Sequence, residues 1–367
     1  MADAIPVAKP LIGVEERRAV DAVLASGALA QGPEVAAFER EFGSLLVEAS
    51  PVVAVNSGTA ALHLALLALG IGQGDEVIVP SFTFAATANA VRLVGAVPVF
   101  VDIDPASFCV DPCAVAAAVT SRTRAVVPVH LYGHPADMDE LVDVARSHDL
   151  LVLEDAAQAH GARWSGARVG TLGDAAAFSL YPTKNMTSGE GGMVATPSPG
   201  VERTVRLLRN QGMATRYENE IVGFNARMSD VHAAIGRAQL RKVLGWTAQR
   251  VANAAYLTGE LRGVTLPTVH PLAEHVFHQY VVRVPDDRDG FVAALDAEYG
   301  IGAGVYYPTP VHRLPSFVGS SGPVCGDLPE TERAAAEVLA LPVYPTLTLQ
   351  QLDRIVAAVN ALAGAGR

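Results

Sequence analysis

The chain has 367 residues, half of them apolar, and a formal net charge of −11. That length predicts about two domains with ample core, and the negative charge argues against broad binding to nucleic acid or anionic membranes, because the summed field repels polyanions. The opening MADAIPVAKPLIG lacks a basic segment followed by an apolar one, and no stretch reaches the ~18 uninterrupted apolar residues of a membrane span, so a cytoplasmic protein is expected. Three cysteines, Cys109, Cys113 and Cys325, form no CxxC pair, so reduced thiols and no metal site are expected.

In chain order, short apolar runs alternate with helical stretches from about residue 50 to 196: VVAV, EVIV, VPVFV, AVVPV, LLVL, AAAFSL and GMVAT. Several are apolar at nearly every position, which suits parallel strands covered on both faces. A large α/β domain with a mostly parallel sheet is therefore predicted. Ser229 then reads as the N-cap of a long helix running to about Leu261. The remainder reads as a smaller α+β domain, giving expected domains of 1–245 and 246–367. The Pro/Gly-rich PSFVGSSGPVCGDLP is expected to be an exposed loop.

Four motifs invite chemistry. FSLYPTKNMTSGEGGMV places Lys184 between an apolar strand and a glycine-rich turn, where it fits a solvated loop lysine, a phosphate clamp or a covalent catalyst. A lysine attacks carbonyls when a desolvated site lowers its pKa. In LLVLEDAAQAHG, an apolar strand ends directly in Glu154 and Asp155. A carboxylate at the carboxyl end of a parallel strand faces the crevice where α/β domains bind ligands. Asp155 fits either a partner for a pyridinium nitrogen or an N-cap of a following helix. VVAVNSGTAALHLAL reads as strand, turn and helix, with Gly58, Thr59 and the helix N-terminus forming a phosphate cradle to which Ser179 could add a hydroxyl. It is not a Walker A motif, and GEGG is not a dinucleotide fingerprint. In PSFTFAATANAV, Phe84 fits either a stacking platform for a planar ring or an ordinary core phenylalanine.

Together with VFVDIDP, VPVHLYGHPADMD, GFNARMSDVHAAIG and the late VYYPTPVH and LALPVYP, these motifs resemble the DegT/DnrJ/StrS group of fold-type-I, pyridoxal-phosphate-dependent nucleotide-sugar aminotransferases along nearly the whole chain. The resemblance implies that Lys184 holds pyridoxal 5'-phosphate as a covalent aldimine and moves the proton during turnover. It implies that Asp155 pairs with the pyridine nitrogen, Phe84 lies on the ring face and Gln158 bonds the phenolic oxygen. Gly58, Thr59 and Ser179 would hold the phosphate. Asn225 would reach it from the neighbouring subunit, which implies a homodimer with shared sites. Relatives that remove a sugar hydroxyl carry histidine in place of this lysine, so Lys184 implies transamination.

The implied reaction moves an amino group from an amino acid, glutamate in the first instance, to a nucleotide-linked keto sugar. A 4-keto-6-deoxyhexose is the expected acceptor and a 3-keto sugar the alternative. Tyr307 and His312, in VYYPTPVH, and Arg227 are candidate substrate contacts, each with a purely structural alternative. A non-catalytic, cofactor-binding regulator is the rival from another class, although no basic or helix-turn-helix segment supports a DNA-binding form. A desulfurase on the same fold would want a mobile nucleophilic cysteine, for which Cys325 is the one loop candidate.

Overall fold

The computed structural model describes residues 4–48, 50–284, 286–319 and 326–365. Cys325 and residues 320–324 of the Pro/Gly-rich loop before it lie outside the described residues. All seven apolar runs become strands of one sheet. They are β1 (Val52–Val55), β2 (Glu76–Pro80), β3 (Val97–Val101), β4 (Thr123–Val126) and β5 (Leu151–Asp155), then, after the short hairpin β6 (Arg163–Trp164) and β7 (Ala167–Arg168), β8 (Ala175–Ser179) and β9 (Gly192–Ala195). The order is β1-β9-β8-β5-β4-β2-β3. β9 is antiparallel to both its neighbours, and the pairings from β8 to β3 are all parallel.

Unbroken apolarity in these strands follows from their cover. Helices α3 (Gly58–Ala68), α4 (Ala86–Leu93), α5 (Pro112–Ala118) and α6 (Met138–Ser147) link successive strands, and α7 (Pro199–Arg209) follows the last. Leu62 and Leu66 of α3 are buried against the sheet, joining Val53, Val77 and Val194 in one core, while Phe42, Phe178 and Met193 fill another. The strand order reverses between β2 and β4, so their carboxyl ends flank the switch point at which open α/β sheets bind ligands.

Ser229 caps α8 (Asp230–Glu260), its hydroxyl accepting from the His232 N–H at 3.3 Å. The first half of α8 packs on α1 (Val14–Ser26) and α2 (Pro33–Leu46). Between α7 and α8 lies a small hairpin, β10 (Met213–Thr215) and β11 (Glu218–Asn219); β12 (Ala273–Glu274) later pairs with β6. The second half of α8 gives Ala254 and Leu257 to a separate core. Also in that core are residues of β13 (Tyr280–Arg283), α9 (Arg288–Tyr299), β14 (Val338–Leu341) and α11 (Leu349–Ala365); α10 (Pro329–Glu337) precedes β14. Ile5 belongs to this C-terminal core and bridges to Ile301. The division expected at residue 245 thus falls inside a continuous helix, with the N-terminal strap crossing to the C-terminal side. No described helix is long and apolar enough to cross a membrane.

Candidate active site

Register brings the motifs together. Asp155 is the last residue of β5 and pairs with Ala177 of β8, so Ser179 stands two residues further along the same edge. Gly192 of β9 pairs with both Ser179 and Val55, which sets the turn after β1 level with Ser179. A Cβ added to Gly58 would lie 2.7 Å from Ser179 Cβ and 3.0 Å from its Oγ. Glycine is required there by close approach, since any side chain would fill the space between helix start and strand end. The Ser57 hydroxyl caps α3 by accepting from the Ala60 N–H at 3.1 Å, and Gly58 and Thr59, both half-buried, form the first turn. This is a ready-made anion cradle.

Asp155 is 5% exposed. Its Oδ2 accepts from the Thr87 hydroxyl at 2.8 Å and its Oδ1 from the Ala157 N–H at 3.2 Å. Burial nevertheless raises its pKa, outweighing these bonds and the charge of Lys184. Such a carboxylate is short of a cation. The helix N-cap alternative for Asp155 fails, because the chain beyond it turns and forms no helix.

Lys184 sits in the turn after β8, its backbone N–H donating to Tyr181 O at 2.9 Å. Burial, the larger cause, pulls the amine down to about 8, and the Asp155 carboxylate opposes that shift. An amine in that range is in part neutral near physiological pH and able to attack a carbonyl. Gly191 lets the following turn close tightly, as a Cβ there would meet Ser188 Oγ at 2.5 Å and Met228 Cε at 2.6 Å.

The remaining predicted residues divide. Phe84 is 62% exposed, which rules out a core role. Its carbonyl accepts from the Thr87 N–H at 3.2 Å, one step from Asp155. Gln158 is buried, with Oε1 accepting from the Tyr132 N–H at 2.6 Å and Nε2 donating to the Tyr307 hydroxyl at 2.7 Å. Its second amide hydrogen is left for another acceptor. Tyr307 is thereby tied to the site; it stacks on Tyr132 and meets Phe82 edge-on, with φ at 58°. His312 is committed elsewhere: Nδ1 lies 2.6 Å from Ser81 Oγ and Nε2 3.2 Å from Glu332, so it braces its loop against the end of β2. Arg227 donates to Asn210 Oδ1 at 3.0 Å and bridges to Val55, fitting its structural alternative. Asn225 is exposed.

Sequence reading missed the support behind these groups. Thr87 lies within PSFTFAATANAV, but nothing local marks it as a partner of Asp155. Glu154, pointing to the opposite face of β5, is wholly buried. It accepts from the N–H groups of Gly170, Leu172 and Gly173 at 2.8, 2.8 and 2.9 Å and lies 3.0 Å from His130 Nε2. His130 Nδ1 accepts from the Ala136 N–H, so Nε2 carries the proton toward Glu154. His160 is buried against Phe42 and Phe178 and held neutral, its pKa lowered to about 3 by burial and by Lys184.

A lowered lysine amine, a carboxylate wanting a cation and a phosphate cradle fit pyridoxal phosphate, whose aldehyde, ring nitrogen and phosphate match them one to one. Comparison with known proteins agrees. A relative from Saccharopolyspora erythraea, named erythromycin biosynthesis sensory transduction protein EryC1, is 46% identical over 92% of this chain and 93% of its own. The dTDP-3-amino-3,4,6-trideoxy-alpha-D-glucose transaminase of Streptomyces venezuelae is 45% identical over 94% of this chain and 91% of its own. The solved structure of S. venezuelae DesV, in complex with a ketimine intermediate, superposes with a TM-score of 0.90 at 45% identity, covering 95% of this chain and 94% of that one. Other solved neighbours hold the cofactor in its pyridoxal and pyridoxamine phosphate forms. The model of the DegT/DnrJ/EryC1/StrS aminotransferase family matches residues 10–360. With fold, site chemistry and this near-complete match in accord, the chain belongs to that family of pyridoxal-phosphate-dependent aminotransferases.

Proposed function

We propose that this aminotransferase takes the amino group of glutamate and delivers it to the keto group of a nucleotide-linked deoxysugar, working as a homodimer with shared sites. The observation that carries the reading is Lys184, whose amine is drawn down to about 8 while facing Asp155. Bound pyridoxal phosphate supplies a carbonyl for the amine and an electron sink for the carbon that loses a proton. The chain's residues do the rest. Lys184 Nζ would hold the cofactor and, when free, would take the proton from the donor's α-carbon and pass it on to the cofactor. Asp155 gains its missing cation from the ring nitrogen and keeps that nitrogen protonated. Gly58, Thr59 and Ser179 hold the phosphate, Gln158 offers its second amide hydrogen to the ring oxygen, and exposed Phe84 covers one ring face. Asn225 reaches the phosphate of the neighbouring subunit's site.

For the acceptor carbon, similarity to the dTDP-3-amino-3,4,6-trideoxy-alpha-D-glucose transaminase of S. venezuelae favours a 3-keto sugar over the 4-keto sugar first expected. The test is incubation with glutamate and a panel of nucleotide-linked 3-keto and 4-keto deoxysugars, with products identified by mass and NMR. Amination of a 3-keto sugar is the expected result. Amination of 4-keto sugars alone restores the first expectation, and failure with every keto sugar despite a glutamate-dependent spectral shift removes the sugar assignment.

A further inference from the structure

Thr87 is the second residue of α4 and is 1% exposed. A buried threonine in a helix commonly returns its hydroxyl to the carbonyl of the preceding turn. Thr87 sends it elsewhere: Oγ1 lies 2.8 Å from Asp155 Oδ2, a partner 68 positions away, and 3.3 Å from Thr83 Oγ1. An ionised carboxylate can only accept, so the Thr87 proton points at Asp155 and its lone pairs are left for the proton of buried Thr83. Two hydroxyls in series thus donate toward one carboxylate oxygen, each polarising the next. The other oxygen takes the longer bond from Ala157 N–H, at 3.2 Å.

A carboxyl group facing a pyridine nitrogen holds one proton in either of two forms, carboxylate with pyridinium or carboxylic acid with neutral pyridine. Taking both groups out of water favours the uncharged form. Burial is indeed the largest influence on Asp155 and raises its pKa; the Thr87 bond is the strongest of those opposing it, ahead of Ala157 N–H and the charge of Lys184. Hydrogen bonds donated to a carboxylate act in the other direction from burial, toward the charged pair.

We infer that Thr87 is a positioning residue that keeps the proton on the cofactor's ring nitrogen by holding Asp155 as a carboxylate, with Thr83 as a second donor behind it. The inference rests on the reading of Asp155 as the partner of that nitrogen. It gives residues 83–87 two tasks, since Phe84, whose carbonyl accepts from the Thr87 N–H, belongs to the same turn: one residue serves the ring's face and the other its charge.

The test compares wild-type holoenzyme with Thr87→Val, of the same shape without the donor, and Thr87→Ser, which keeps the donor. Each is loaded with cofactor labelled with ¹⁵N in the ring, whose nitrogen NMR signal separates pyridinium from neutral pyridine. In Thr87→Val the ratio of protonated to neutral ring should fall by about tenfold, the worth of one charge-assisted hydrogen bond. Removal of the α-proton of glutamate should slow by about threefold or more, short of the roughly 100-fold expected of Asp155→Asn. Thr87→Ser should restore both. Reconstitution with N-methylpyridoxal phosphate, whose nitrogen is positive with no proton to share, should bring the Thr87→Val and wild-type rates within about threefold of each other. An unmoved nitrogen signal in Thr87→Val, or a rate deficit that persists with the N-methyl cofactor, overturns the inference. Should Thr87→Val fail to fold, Thr87→Cys decides: its thiol is a weak donor, so the signal should move in the same direction, and an unmoved signal overturns it. Asp155→Asn separates the two readings: if that change leaves the nitrogen signal at its wild-type position, Asp155 is not the nitrogen's partner, and the role of Thr87 falls with it.

Discussion

A lysine amine near pH 8 is poised between storage and attack, and that balance should be visible before any substrate is added. Only the neutral amine adds to the cofactor aldehyde, so capture of pyridoxal phosphate by cofactor-free protein should speed up by roughly tenfold per pH unit below 8 and level off above it. The sign follows from the downward shift to about 8; an unperturbed lysine would keep accelerating to about pH 10. A rate flat from about pH 6 to about pH 9 would contradict the reading. Lys184→Ala should fold, lose the lysine-bound absorbance band and lose transamination. Asp155→Asn should keep the band and slow proton removal by about 100-fold or more, and near-normal turnover would remove its assigned role. At this scale the groups proposed to touch the cofactor were legible, because strand ends and glycine turns are local patterns. Thr87 was not legible: it matters through Asp155, a partner far along the chain.

Among the elements, the end of β5 carries two carboxylates with opposite tasks. Alternation along a strand sends Asp155 toward the switch point and Glu154 into the fold behind it, where one carboxylate ties three N–H groups of the 170–173 turn and His130 into a single brace. Glu154→Gln replaces an acceptor oxygen by a donor facing donors, and should cost about 3 kcal/mol of stability, read as a lowered urea midpoint. Loss of activity without loss of stability would show that Glu154 acts on the site by other means. Gly58→Ala tests the cradle. A first-turn alanine would usually favour a helix, but this one meets Ser179 Cβ at 2.7 Å, so it should destabilise by about 1–3 kcal/mol and weaken cofactor retention, measured as faster loss of the chromophore on dialysis. The strands were legible because doubly covered strands must be apolar throughout. The antiparallel entry of β9 was not, because no local signal in GMVAT states the direction of its neighbours.

For the whole molecule, the described chain leaves its site open on one side. Phe84 is 62% exposed, Tyr181 48%, Val222 90% and Phe224 40%, all close in sequence to site residues and all costly to leave in water. In the homodimer proposed above, a second copy of the chain would cover them and Asn225 would serve the phosphate of the neighbouring subunit's site. This division of labour makes a prediction that a single-chain site cannot mimic. Lys184→Ala and Asn225→Asp, each inactive or nearly so by itself, should regain activity when unfolded together and refolded as mixed dimers. One site of each mixed dimer then carries both changes and the other carries neither. Random assortment makes about half the dimers mixed, each with one intact site, so recovery should approach about a quarter of wild-type activity. Sedimentation should report a dimer for both variants and for the mixture. If the mixture stays as inactive as its parents while dimers form, Asn225 serves its own subunit's site and the sharing of sites is wrong. If the protein sediments as a monomer with full activity, the exposed aromatic residues need another explanation.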